Sequence, residues 1–241
     1  LIAARSRIKK TEKAKEAMMK LIKIQEWEMN EAEKNQLSHF IIIGYGNLIQ
    51  GLVYANQFDE LAHITALADS FVKTTKVNSP YSSSLYLTLA VSYLYVGDYS
   101  KAYVWNNRFL NESVKFYRED AHSIGKILNL ILHYQLGRID LLPYITRSTY
   151  RFLFKRNRLY KTEDAILGFI RTKMPKADSP KELIGFFKEL KSELEEIAKD
   201  PYEAKALQLF DFITYLDSKI QNRSMVEIKT AILHSGNSVG K

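Results

Sequence analysis

At 241 residues and 46% hydrophobic content the chain can bury a sizeable core, and its net charge of +8 suits either an acidic partner or solubility. The absence of cysteine excludes disulfides and thiolate chemistry and fits a reducing, cytoplasmic setting. Only 10 Gly and 5 Pro interrupt apolar residues spaced by three and four, which predicts an all-α chain.

The N-terminal residues Leu1 to Ala4 run at once into Arg5, Arg7, Lys9 and Lys10, so no secretory signal is read there. The chain does not begin with Met, and the expectation is a C-terminal fragment of a longer protein. Residues 5–35 predict one long charged helix, with Ile8, Ala14, Met18, Leu21, Ile22, Gln25 and Met29 as its apolar seam. Such a helix can cap a repeat array, make a coiled-coil contact or lead in from a preceding region. The apolar run from Phe40 to Ala55 contains Gly44, Gly46, Asn47, Gln50 and Gly51, which predicts a buried helix rather than a membrane span.

Residues 36–175 predict helix pairs with tight turns at Asn56, Gly97 and Gly137, about 40 residues apart. Asn and Gly both tolerate the left-handed conformation that ends a helix. The clearest unit is Leu85 to Leu110. Ala90 precedes Tyr93 by one turn, Gly97-Asp98 breaks the helix, Tyr99 follows, and Ala102 lies in the return helix. This unit resembles a tetratricopeptide repeat. The resemblance implies a right-handed α-solenoid of antiparallel helix pairs, with a period near 40 residues over roughly residues 37–155. The stretch Ile127 to Glu163 also looks like bacterial helical-repeat proteins, a likeness that supplies no activity.

Residues 176–234 predict a C-terminal helical cap on the same single domain. Ser179-Pro180-Lys181-Glu182 and Asp200-Pro201-Tyr202-Glu203 both read as helix starts. The first run would bury Leu183, Phe187, Leu190, Leu194 and Ile197, and the second Leu207, Phe210, Ile213 and Leu216. Residues 223–234 add a last helix, and the tail from Ser235 is expected to be loose.

A solenoid lines its concave side with the first helix of each pair. The candidate groove is therefore Asn47, Gln50 and Tyr54, then Leu87, Val91 and Tyr95, then Ile127, Ile131 and Tyr134. It either stays open to a protein segment or is filled by the amphipathic helices after Pro180. It lacks the Lys/Arg/Asn clamp with which some tetratricopeptide domains hold a peptide carboxylate. The second candidate is a basic face within 147–161 formed by Arg147, Arg151, Lys155, Arg156, Arg158 and Lys161. Tyr150, Phe152, Phe154 and Tyr160 are interleaved, most of them expected to point inward. Three readings stay open: a face solvated or paired with Glu189, Glu193, Glu195 and Glu196, an acidic protein partner, or nucleic acid.

Glu60 and His63, and Glu119 and His122, have the spacing of one half of a carboxylate-bridged metal site, but the facing glutamates are missing. Gly236 to Lys241 falls one residue short of a phosphate loop, and His39, His133 and His234 stand alone. No catalytic residue, metal ligand or cofactor is assigned. The expected function is a noncatalytic protein-protein interaction scaffold or adaptor without membrane contact; the alternative is a nucleic-acid-binding or regulatory module using residues 147–161.

Overall fold

The computed structural model describes residues 2–24, 27–75, 82–112, 119–155, 160–203, 207 and 210–238. Every regular element among them is helical. The chain divides into two compact units, Leu1–Phe116 and Tyr117–Lys241.

The first unit holds α1 (Ile2–Ile24), α2 (Glu31–Ala55), α3 (Phe58–Thr74), α4 (Ser82–Tyr95) and α5 (Tyr99–Asn111). The single helix expected over 5–35 is two helices. Asn30 ends the continuity because its side-chain oxygen accepts from the Glu33 amide at 3.0 Å, while the Glu33 carboxylate accepts from the Asn30 amide at 2.9 Å. This reciprocal cap starts α2 afresh. α1 then runs antiparallel along α2, with Met18 against Gly44 and Thr11 against Gly51. A Cβ at position 44 would lie 2.6 Å from the Met18 sulfur, so glycine is what permits this approach.

α2 is long and apolar enough to cross a membrane by composition. Here it buries Leu37, Ile41, Ile42, Tyr45, Leu48, Ile49 and Leu52 and packs against α1, α3 and α4. α4 is enclosed on nearly all sides, with Leu85, Tyr86, Leu89, Ala90, Tyr93 and Tyr95 buried. Ala102 and Trp105 of α5 are buried as well, and the Trp105 ring lies 5.3 Å from that of Tyr86. The Tyr93 hydroxyl donates to Asp69 on α3 at 2.7 Å, and Asp69 also meets Lys73 at 2.8 Å.

The second unit holds α6 (Glu119–Gln135), a 3-10 turn (Ile139–Leu141), α7 (Leu142–Phe154), α8 (Lys161–Gly168), α9 (Pro180–Ile197), α10 (Phe212–Ile220) and α11 (Met225–Ser238). α8 continues into a π-helical turn, Phe169–Lys173, and a 3-10 turn, Met174–Lys176. Ser179 caps α9 as expected, accepting from the Glu182 amide at 3.2 Å. At the second expected start residues 201–203 form a turn and Leu207 is helical, with residues 204–206 and 208–209 outside the described residues. The Asp200 carboxylate accepts from the Tyr202 amide, and the helix carrying Ile213 and Leu216 begins at Phe212, where Asp211 accepts from the Thr214 amide at 2.9 Å. α11 runs to Ser238, so helix continues past Ser235, where a loose tail was expected.

The three expected turns share one geometry. Asn56, Gly97 and Gly137 have φ of 56°, 83° and 69°. After each, an amide bonds back to the carbonyl five residues earlier: Gln57 to Leu52, Asp98 to Tyr93 and Arg138 to His133, at 2.9–3.0 Å. This closure satisfies carbonyls that a helix end leaves open. Asn222, at φ 50°, repeats it through the Arg223 amide and the Ser218 carbonyl. The break at Ala177-Asp178 differs, since Ala177 is extended and the next helix is closed by its Ser179 cap.

Candidate functional site

The nine groove residues do not form an exposed apolar surface. In the first unit Asn47, Gln50 and Tyr54 are exposed on α2, whereas Leu87 and Tyr95 are buried and Val91 is half-buried. Tyr95 is held by Phe58, whose ring stacks on it at 6.2 Å. In the second unit Ile127 and Ile131 are buried, and Tyr134 meets Phe187 of α9 edge to face at 6.2 Å. Phe187 in turn stacks on Phe169 at 5.3 Å. α9 and α10 therefore occupy the face of α6 that was expected to line a groove. What remains is a small cavity of about 40 Å³, walled by Ile131, Tyr134, Phe169, Phe187 and Leu216 among others. The physical reason is the strong apolar stripe of α9, which packs against α10 and α8 and brings Phe187 onto Tyr134 of α6.

The basic run is arranged differently. α7 places Leu142, Thr146, Thr149 and Leu153 in one buried row, at the three- and four-residue spacing of a helix face. The opposite face carries Arg147, Arg151 and Lys155, all exposed. It also carries Tyr144, 73% exposed, and Phe154, 64% exposed; of the four interleaved aromatics Phe154 alone is exposed, while Tyr150, Phe152 and Tyr160 are half-buried. Ile139 and Leu141 extend this apolar rim at the N-terminal end. The Tyr150 ring, half-buried, stacks on Phe154 at 5.8 Å and 14°, and the Arg171 guanidinium lies 5.9 Å from it.

Three of the four acids expected to neutralise this face are engaged elsewhere, and the fourth, Glu193, is exposed and forms no ion pair among the described residues. Glu189 pairs with Lys173 at 2.7 Å, Glu195 with Lys191 at 3.6 Å, and Glu196 with Lys199. Among the described residues Arg147, Arg151 and Lys155 form no ion pair, and Asp140 is the one acid in the stretch 139–155. The run is not one stripe through to residue 161. α7 ends at Phe154, and Lys161, also exposed, opens α8. Arg156 and Arg158 lie outside the described residues.

The two Glu–His pairs are placed differently. Glu60 pairs with Lys15 of α1, and His63 is exposed. The side chain of Glu119 lies outside the described residues, while His122 is buried with its ring 4.9 Å from Phe152. Among the described residues no three His, Asp or Glu side chains converge as a metal site would require. A buried acid pair not singled out in the sequence sits at the start of α8. Glu163 accepts from the Tyr160 amide at 3.2 Å and Glu203 from the Thr162 amide at 3.5 Å, and both are almost fully buried. Burial, reinforced by the charge of Glu203 and opposed by the Tyr160 amide and Ser123 hydroxyl, raises the Glu163 pKa to about 7. Desolvation and then the Arg138 charge hold His133 below the usual histidine range.

No family model matches the chain, and neither a curated protein nor a solved structure matches it.

Proposed function

We propose that the chain is a noncatalytic protein-interaction module of tetratricopeptide-like helix pairs, and that it holds a protein segment on the outward face of α7. The right-handed solenoid reading rests on the resemblance of Leu85 to Leu110 and on the recurrence of one turn geometry at Asn56, Gly97 and Gly137. The observation that carries the binding reading is that α7 presents Tyr144, Arg147, Arg151, Phe154 and Lys155 together to solvent. Large exposed aromatics beside arginine are the residue types that anchor protein interfaces. The apolar cavity of the second unit is too small to support the groove reading.

The test compares proteins retained by the parent chain with those retained by a triple variant, Arg147→Glu, Arg151→Glu and Lys155→Glu. The reading predicts a protein enriched on the parent and lost from the variant. Identical sets on both would overturn it. Loss of a nucleic acid in place of a protein would favour the alternative, a nucleic-acid-binding or regulatory module on the same face.

A further inference from the structure

Resting on the reading of α7 as the contact face, we infer that its occupant is an acidic amphipathic segment of a partner protein, with apolar residues among its carboxylates. Charge complementarity is the first argument. Arg147, Arg151 and Lys155 recur every fourth residue, so their backbone positions are about 6 Å apart along the helix. An α-helix with Glu or Asp at every fourth position offers carboxylates at that same interval of about 6 Å. Among the described residues Arg147, Arg151 and Lys155 form no ion pair, which leaves this row to an external anion.

The second argument is the rim. Exposed Ile139 and Leu141 lie at one end of the row, with Tyr144 next to them and Phe154 at the other end. Aliphatic side chains gain from burial against apolar residues of a peptide and lack the flat ring on which a nucleobase stacks. The aromatic placement also disfavours a nucleic acid strand. Tyr144 and Phe154 are ten residues apart, about 15 Å along the helix, too far for successive bases to stack on both. Between them Tyr150 is already covered by Phe154 and Arg171.

Binding is measured by fluorescence anisotropy on the full chain with three labelled probes. These are a synthetic peptide with Glu and Leu/Phe at helical spacing, a scrambled peptide of the same composition, and single-stranded oligothymidylate. The expected result is saturable binding of the amphipathic peptide that weakens about tenfold on Arg147→Glu, Arg151→Glu, Lys155→Glu and about fivefold on Tyr144→Ala, Phe154→Ala. The scrambled peptide should bind about fivefold more weakly, because it keeps the charge and loses the apolar stripe. Arg151→Gln with Lys155→Gln supplies a milder pair should the reversal variant fail to fold. Equal binding of the scrambled peptide, tighter binding of oligothymidylate, indifference to these substitutions or absence of saturable binding would each overturn the inference. If the peptide fails while the parent still retains a protein that the triple variant loses, the acidic partner is wrong and the α7 contact face stands.

Discussion

Tyr150 and Phe154 lie ring on ring, 5.8 Å apart and 14° from parallel, one helical turn apart on α7. One face of Phe154 is thereby fixed and the rest of the ring is left in water, a costly arrangement unless another molecule uses it. Its sequence neighbour Leu153 is 1% exposed. The two should respond oppositely. Phe154→Ala is predicted to cost less than about 1 kcal/mol of stability and to weaken partner binding about threefold. Leu153→Ala should cost about 2–5 kcal/mol through a core cavity. Denaturant melts set beside binding isotherms separate the two effects.

The acid at the start of α8 predicts a pH dependence. Glu163 has a folded pKa of about 7 against an ordinary 4.5, so the folded chain holds this proton more tightly than the unfolded chain. The stabilisation is fully present below about pH 4.5 and is lost as pH rises through about 7, a change of roughly 3 kcal/mol. The parent should therefore lose stability across this window relative to Glu163→Gln, whose side chain stays neutral. Chemical denaturation of both proteins at a series of pH values measures the difference. A constant gap between them would show that Glu163 does not titrate there.

The repeated turn predicts a contrast between residues sharing one backbone conformation. Gly97 has φ of 83°, so Gly97→Ala places a Cβ in a conformation that costs about 1–2 kcal/mol. Asn56 holds a similar angle with a side chain that tolerates it, so Asn56→Gly should change stability by only a few tenths of a kcal/mol. Thermal melts of the two variants check the ordering.

These turns were legible in sequence because Asn and Gly mark left-handed positions wherever they end an apolar run. The break between α1 and α2 was not, because charged residues and an apolar seam continue across it and only the pairing of Asn30 with Glu33 announces a new start. On α7 the buried row includes Thr146 and Thr149, which carry a weak hydrophobic signal. The bulkier Phe154, one of the four interleaved aromatics, is on the surface instead. Glu163 could be recognised as a third-position cap, but its burial, and the Glu203 charge and Ser123 hydroxyl beside it, come only with the fold. The groove failed for a related reason. Spacing identifies an apolar face, whereas Phe187 decides that the face of α6 is covered.

The most direct measurement is photocrosslinking in living cells, with a photoreactive phenylalanine placed singly at Tyr144, Phe154 and, as a control, Val104, which is also exposed, on α5 of the first unit. If α7 is the contact face, positions 144 and 154 yield a discrete protein adduct and position 104 yields none. Adducts at 104 without any at 144 or 154, or no adduct at the two α7 positions, would contradict the account.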